Sequence, residues 1–315
     1  MVSLKELAKM PDVITGGHRL CPGCGAPIAV RQILRGTDKP VVVVCATGCL
    51  EVATTIYPHS AWKCNYFHNA FENAAATLSG IETAYKSLKK QGKIKKDKEI
   101  KFVAFGGDGG TYDIGLQSLS GSLERGHDIV YVCYDNEAYM NTGIQRSSAT
   151  PLGAATTTSP AGKVHPGKEQ FKKNLLDVVA AHEIPYACQA SISDWHDVYV
   201  KSKKAFDTKG PAFINILAPC QRGWRHPHNL TIQVAKSAVE TRFWPLVEVE
   251  YGRKWTLNRD IKDPKPITEW LKSQGRFKHL FKPENKHIIG KIQKHVDSEW
   301  ERIKNLCKSS GQKFD

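Results

Sequence analysis

Lys101-Phe102-Val103-Ala104-Phe105-Gly106-Gly107-Asp108-Gly109-Gly110 is the stretch that decides the fold. A short apolar run, read as a buried strand, breaks into a glycine-rich turn that carries one carboxylate. Downstream, Asp128-Ile129-Val130-Tyr131-Val132-Cys133-Tyr134 reads as a second buried strand and leads to Asn136. Between them, Asp113 to Arg125 sets Ile114, Leu116, Leu119 and Leu123 close to helical spacing. The unit is strand, turn, helix, strand. A right-handed crossover puts both strand ends on one edge of a parallel sheet, so Asp108 and Asn136 converge there.

Working outward, strands are expected near Val41, Phe102, Ile129, Pro185 and Phe213, with helices between them, Phe71 to Ala84 among these. That alternation predicts an α/β fold: a parallel sheet with helices on both faces. The 315 residues fit one large unit, read as 1–224 plus a C-terminal extension, 225–315, that packs on the core or on a partner chain. No strand series is legible in the extension. Pro245, Pro264 and Pro266 punctuate it, and Ile288 to Lys304 reads as a terminal helix.

The residue types at the strand ends suit a metal-bound diphosphate. A small hard cation such as Mg2+ takes about six oxygens, from carboxylate, neutral donors, water and phosphate. Asp108 supplies charge, Asn136 a side-chain oxygen, and a backbone carbonyl near Ala138 a third donor. Gly106, Gly107, Gly109 and Gly110 let backbone approach phosphate without side chains in the way. An ordinary tight turn uses the same residues; the pairing with Asn136 is what favours the metal reading.

Nine cysteines carry the second signal. The charged segment Met1 to Asp12 lacks the apolar core of a secretory leader, so a cytoplasmic chain with reduced thiols is expected. Cys21-Pro22-Gly23-Cys24 has the two-residue gap that puts two thiolates on one centre. Cys49 and Cys220 each follow a strand-like run, Val41 to Val44 and Phe213 to Leu217. Four thiolates can hold zinc or an iron–sulfur cluster, while Cys21 and Cys24 alone could be a redox dithiol or a chance pair. The isolation of Cys49 and Cys220 from any second close pair favours a cluster. Cys45, Cys64, Cys133 and Cys188 are expected as buried spectators, and Cys307 as a surface or tail residue.

The formal charge is +14. Much of it lies in Lys86 to Lys101, expected as a solvated loop, and the remainder is concentrated in Arg253 to Lys313. No stacking-aromatic motif or recognition module accompanies it, so the reading is solvated faces and subunit contacts, with no nucleic acid. No run reaches the roughly 20 apolar residues of a membrane span. His18 and His68 are given no proton-transfer role.

Taken together, these motifs resemble the beta subunits of the 2-oxoacid:ferredoxin oxidoreductases, most closely the pyruvate:ferredoxin oxidoreductase branch. The resemblance rests on Gly17 to Gly25, Ala46 to Val52, Gly106 to Thr111 and Tyr134 to Pro151. It continues through Pro219-Cys220, Gly223-Trp224 and Gln274-Gly275-Arg276-Phe277, and so covers essentially the whole chain. It departs from the family at Cys64-Asn65-Tyr66-Phe67 and at Gln221-Arg222.

The resemblance implies a thiamine diphosphate-binding fold. Cys21, Cys24, Cys49 and Cys220 would hold a [4Fe–4S] cluster. Asp108, Asn136 and the Ala138 carbonyl would hold Mg2+. Gly107, Gly109, Gly110, Ala26, Cys49 and the run Asn136, Glu137, Ala138, Tyr139, Met140 and Asn141 would line the cofactor, with Asn141 as the catalytic side chain beside the thiazolium. The implied reaction is oxidative decarboxylation of pyruvate with coenzyme A to acetyl-CoA and CO2, reversibly reducing ferredoxin. Implied partners are alpha, gamma and delta subunits, with the activating glutamate on a different chain; Glu72 and Glu137 are local alternatives. Competing readings are another 2-oxoacid (2-oxoisovalerate, oxalate), a non-redox thiamine decarboxylase or synthase, and a zinc-dependent basic binding protein.

Overall fold

A computed structural model of the chain describes residues 2–162 and 164–314. Met1 and Asp315, which bound the two segments expected from sequence, and Lys163 lie outside the described residues. The strands are β1 (Val41–Ala46), β2 (Asn65–Asn69), β3 (Lys101–Gly107), β4 (Val130–Asp135), β5 (Tyr186–Ser191), β6 (Ala212–Leu217), β7 (Val247–Glu250) and β8 (Lys254–Leu257). They form one sheet in the order β2-β1-β3-β4-β6-β5-β7-β8. The first six pair in parallel, and β7 and β8 add antiparallel at one edge.

Eleven α-helices are described: α1 (Leu4–Lys9), α2 (Gly25–Leu34), α3 (Cys49–Thr54), α4 (Ala74–Lys90), α5 (Leu116–Glu124), α6 (Leu175–Ala180), α7 (Trp195–Asp207), α8 (Gln221–Trp224), α9 (Thr231–Glu240), α10 (Ile267–Lys272) and α11 (Lys286–Ser309). The strand side chains alternate between two cores, as the pleat requires. Val43, Cys45, Val103, Phe105, Val132 and Ile214 pack with Val30 and Ile33 of α2 and Val198 of α7. Their neighbours Val42, Val44, Ala104, Tyr131, Cys133 and Phe213 pack with Leu78 of α4, Leu119 of α5 and Trp300 of α11. Burial on both faces explains why β1, β4 and β6 read as unbroken apolar runs rather than alternations. No described helix is long and apolar enough to cross a membrane.

Three sequence expectations need correction. The segment after Trp224 does contain strands: β7 and β8 form a hairpin turned by Tyr251 (φ 50°) and Gly252 (φ 66°), a pair of positive φ values that suits a tight hairpin. Four residues per strand gave too short a pattern to stand out. Cys307 is fully buried, because the apolar stripe of α11 (Ile288, Ile292, Val296, Trp300, Ile303) continues one further turn to it. The Lys86–Lys101 segment is partly helix, since α4 runs to Lys90.

Candidate functional site

β3 ends at Gly107, and Asp108 begins a π-helical turn, Gly109–Ile114, that passes into α5. Wide turns of this kind are rare and recur at functional sites. Asp108 is fully buried. Its Oδ2 accepts from the Ser147 hydroxyl at 2.5 Å and its Oδ1 from the Asn136 N–H at 3.3 Å. Burial pushes its carboxyl well above the ordinary range, and the nearby Asp135 pushes it further; Ser147 and Lys172 pull the other way. A buried carboxylate with hydrogen-bond partners but no bonded cation is costly unless it takes up a proton or a metal.

β4 lies beside β3 and delivers Asn136 directly after Asp135. One end of the Asn136 side-chain amide lies 2.9 Å from both Asp108 Oδ1 and the Ala138 carbonyl oxygen. With nitrogen inward, the amide donates to both oxygens. With oxygen inward, it completes a set of carboxylate, amide and carbonyl oxygens. That spacing matches the edge of an octahedron with metal–oxygen bonds of about 2.0–2.1 Å, so the residues fit Mg2+. Glu137, between the two donors, holds φ 67°, a conformation uncommon for a residue with a side chain.

The strained turn is held from outside. Glu137 is fully buried; its carboxylate meets Arg276 at 2.5 Å and Lys172 at 3.1 Å. Lys172 also pairs with Asp135 at 2.7 Å, and Asp135 accepts from the Tyr112 hydroxyl at 2.6 Å. The Trp224 indole N–H donates to the Asn136 carbonyl at 2.7 Å, and the Arg276 guanidinium stacks on that indole at 4.0 Å. Glu137 therefore supports the donor turn, and its side chain does not face the crevice described next.

A crevice of about 20 Å³ collects Cys49, Gly107, Gly109, Gly110, Asn136, Ala138, Tyr139, Met140 and Asn141. Asn141 is exposed at this mouth. Ala26 is not among the lining residues; it is buried with α2 in the core. Sequence reasoning missed Thr47, Gly48, Phe71, Tyr134 and Thr142, all of which line the crevice, and Ser147, which bonds Asp108 from 39 residues away. No spacing signal marks a contact that distant. Gly109 owes its lack of a side chain to Tyr139 rather than to phosphate: a Cβ there would meet the Tyr139 ring at 2.3 Å, and the Tyr139 hydroxyl donates to the Gly109 carbonyl at 2.9 Å. Glu72 lies just before α4, half-buried, and does not line the crevice.

Four cysteines gather at the same sheet edge. Cys49 opens α3 after β1, and Cys220 caps α8 after β6. The Cys21–Cys24 loop docks on the segment after β6: Gly25 N–H donates to the Pro219 carbonyl at 3.1 Å, and the Thr231 hydroxyl to the Gly23 carbonyl at 2.6 Å. A Cβ on Gly23 (φ 75°) would meet the His228 carbonyl oxygen at 2.3 Å, so glycine is required for that docking. Burial pushes the Cys24 and Cys49 thiols up to about 12 and raises Cys220; proximity to one another adds to each shift. The Gly223 N–H points at the Cys220 sulfur at 3.4 Å. Cys21 is exposed and Cys24, Cys49 and Cys220 are half-buried; thiols gathered in this way, mutually repelling as thiolates and met by a backbone N–H, fit a cationic iron–sulfur centre. Among the described residues, no three His, Cys, Asp or Glu side chains converge as a single-ion site. Cys45, Cys133 and Cys188 are buried elsewhere in the sheet, and Cys64 is half-buried.

Residues 46–216 match the family model described as thiamine pyrophosphate enzyme, C-terminal TPP binding domain. The pyruvate synthase subunit PorB of Thermotoga maritima is 55% identical, covering 97% of this chain and 96% of that protein. The ketoisovalerate oxidoreductase subunit VorB of Pyrococcus furiosus is 48% identical, over 94% of this chain and 93% of its own length. Among solved structures, a 2-oxoglutarate:ferredoxin oxidoreductase from Magnetococcus marinus matches with TM-score 0.53 and 19% identity, covering 72% of this chain and 78% of that one. That likeness shows a shared fold.

Proposed function

The chain belongs to the beta subunits of the 2-oxoacid:ferredoxin oxidoreductases and carries their thiamine pyrophosphate-binding domain, and from that premise we propose that it acts on pyruvate. In this reading, pyruvate and coenzyme A give acetyl-CoA and CO2, reversibly, and ferredoxin takes the electrons. The 55% identity to a pyruvate synthase subunit supports pyruvate over the branched 2-oxoacid. The observation that carries the site assignment is the meeting of Asp108, Asn136 and the Ala138 carbonyl around one amide end.

Asp108, Asn136 and Ala138 would hold Mg2+ on the cofactor's diphosphate, and Cys21, Cys24, Cys49 and Cys220 a [4Fe–4S] cluster. Bound there, thiamine diphosphate supplies an electron sink for the carbon that loses CO2, and the cluster an outlet for electrons. Gly107 and Gly110 leave the floor of the crevice free of side chains. Asn141, at the mouth, would donate a hydrogen bond to the reacting oxygen of the oxoacid, a contribution of a few kcal/mol for a well-placed donor.

A crevice of about 20 Å³ has room for about one water- or ion-sized group and not for the body of the cofactor. The rest would lie in a cleft completed by another subunit. The activating glutamate would reside on an alpha chain; gamma and delta chains would complete the coenzyme A site and the electron path. The test is anaerobic, CoA-dependent reduction of ferredoxin by the assembled complex with pyruvate, 2-oxoisovalerate, 2-oxoglutarate and oxalate compared. Preference for another acid would move the substrate assignment. Asp108→Asn should abolish Mg2+-dependent thiamine diphosphate binding in calorimetry; retained binding would remove the metal role of Asp108.

A further inference from the structure

A second cavity, of about 410 Å³, lies between α11, β7 and the segment before α6 that carries Lys172. It shares no lining residue with the crevice above. Its volume falls in the range of small-molecule sites, which are mostly apolar with a few placed polar groups. The apolar wall includes Phe243, Trp244, Leu271, Ile292 and Val296. His295 stacks on Phe171 at 4.0 Å, and burial holds its ring below the usual histidine range.

The charged groups of the wall are unbalanced. Lys172, Lys173, Arg242 and Arg302 face two carboxylates, Asp177 and Glu299. Arg302 engages both of these, at 2.9 Å each. Lys173 lies 3.7 Å from Asp113, and Lys172 pairs with Asp135 and Glu137 behind the wall. Arg242 has no carboxylate partner among the described residues. Its Nε and Nη2 donate to the carbonyls of Ile261 and Lys262, and its guanidinium lies 4.7 Å over the Trp300 ring. Its Nη1 makes no hydrogen bond to the described residues. An apolar cavity with an unneutralised guanidinium selects a ligand with an apolar body and one anionic end.

We propose that this cavity binds a small hydrophobic carboxylic acid, its carboxylate on Arg242 and its aromatic or branched body against Phe243, Trp244 and Ile292. The site is separate from the cofactor crevice, and its occupancy is read by binding alone, so it stands or falls independently of the reaction.

The test is equilibrium dialysis of the purified complex, containing the full chain, against radiolabelled phenylacetate, with phenylacetamide as the neutral competitor. One saturable site per chain is expected, with the amide competing at least tenfold more weakly than unlabelled acid. Arg242→Gln should weaken binding at least tenfold. Because Arg242 also holds two backbone carbonyls, a second variant, Ile292→Trp, fills the cavity from α11; it should abolish binding with an unchanged circular dichroism spectrum. Excess thiamine diphosphate should leave bound phenylacetate in place. Absence of a saturable site, equal competition by acid and amide, full binding by Ile292→Trp, or displacement by thiamine diphosphate would each overturn the proposal.

Discussion

Arg276→Met tests whether the buried ion pair with Glu137 holds the donor turn. The pair meets at 2.5 Å with side chains 3% and 0% exposed. Removing one partner of a buried pair costs about 3–5 kcal/mol, because the other charge is stranded. Lys172 still reaches the second Glu137 oxygen at 3.1 Å, which keeps the loss near the lower bound. Loss of the stack on Trp224 adds about 1 kcal/mol, so about 4 kcal/mol is expected. Unfolding entropy of about 2.1 cal/mol/K per residue, over 315 residues, is about 0.66 kcal/mol/K, so the melting temperature should fall by about 6 °C.

The comparison that decides the reasoning is Arg253→Met. Arg253 meets Glu183 at 2.7 Å, nearly as close, but with side chains 79% and 58% exposed. Solvent and salt screen such a pair to about 0–1 kcal/mol, so the shift should stay below about 1.5 °C. Scanning calorimetry of the purified chain reads both variants. The double variant Arg276→Met/Glu137→Gln removes the stranded charge and should recover about 1.5 kcal/mol of the loss, within the usual range for contacting residues. Similar shifts for the two arginine variants, or a double variant no more stable than Arg276→Met, would refute the idea that burial of Glu137 sets the cost. Since Glu137 lies between the two proposed metal donors Asn136 and Ala138, Arg276→Met should also weaken Mg2+-dependent thiamine diphosphate binding.

Three further outcomes are expected. After anaerobic reconstitution, Cys49→Ala and Cys220→Ser should each lower iron content and visible absorption, while Cys45→Ala and Cys188→Ala should keep both. Gly109→Ala forces a methyl into the Tyr139 ring; overpacking of this kind costs about 1–3 kcal/mol, and denaturant titration should show it together with weaker cofactor binding. Burial raises the Glu82 carboxyl, but hydrogen bonds from Lys86, His127 and the Asp128 N–H outweigh it and leave it below its ordinary 4.5. Its contribution is thus present above that pH and lost as pH falls through the lower folded value, so Glu82→Gln should flatten the acid limb of urea midpoints measured across that range.

The parts of the fold that announced themselves are those buried on both sides. β1, β3, β4 and β6 read as apolar runs because each face meets a helical layer. β2 was missed because it is an edge strand with no buried side chain, Asn65-Tyr66-Phe67-His68-Asn69, so no apolar run or alternation marks it, and its backbone pairing with β1 does not depend on side-chain character. At the site, Asp108 and Asn136 were legible because crossover handedness alone brings adjacent strand ends together. Ser147, Lys172 and Arg276 were not legible as their supports. Each arrives from a distant segment, and a buried cation looks the same in sequence as an exposed one until its partners are known.

Sheet order ties the two proposed centres together. Cys49, Asp108, Asn136 and Cys220 follow β1, β3, β4 and β6, which are consecutive neighbours in the sheet. The oxygen donors therefore occupy the middle two strand ends and the two lone cysteines the flanking ones. Strands about 4.8 Å apart make the whole row about 14 Å wide, so no point on it is far from the oxygen set. The Cys21–Cys24 loop reaches the same edge from outside the sheet by docking on Pro219 and Thr231. If that docking sets the distance between cluster and cofactor, Gly23→Ala should slow electron delivery to ferredoxin while thiamine diphosphate binding is unchanged. A variant with normal reduction rates and full iron content would show instead that Cys49 and Cys220, fixed by the sheet itself, are enough to place the cluster.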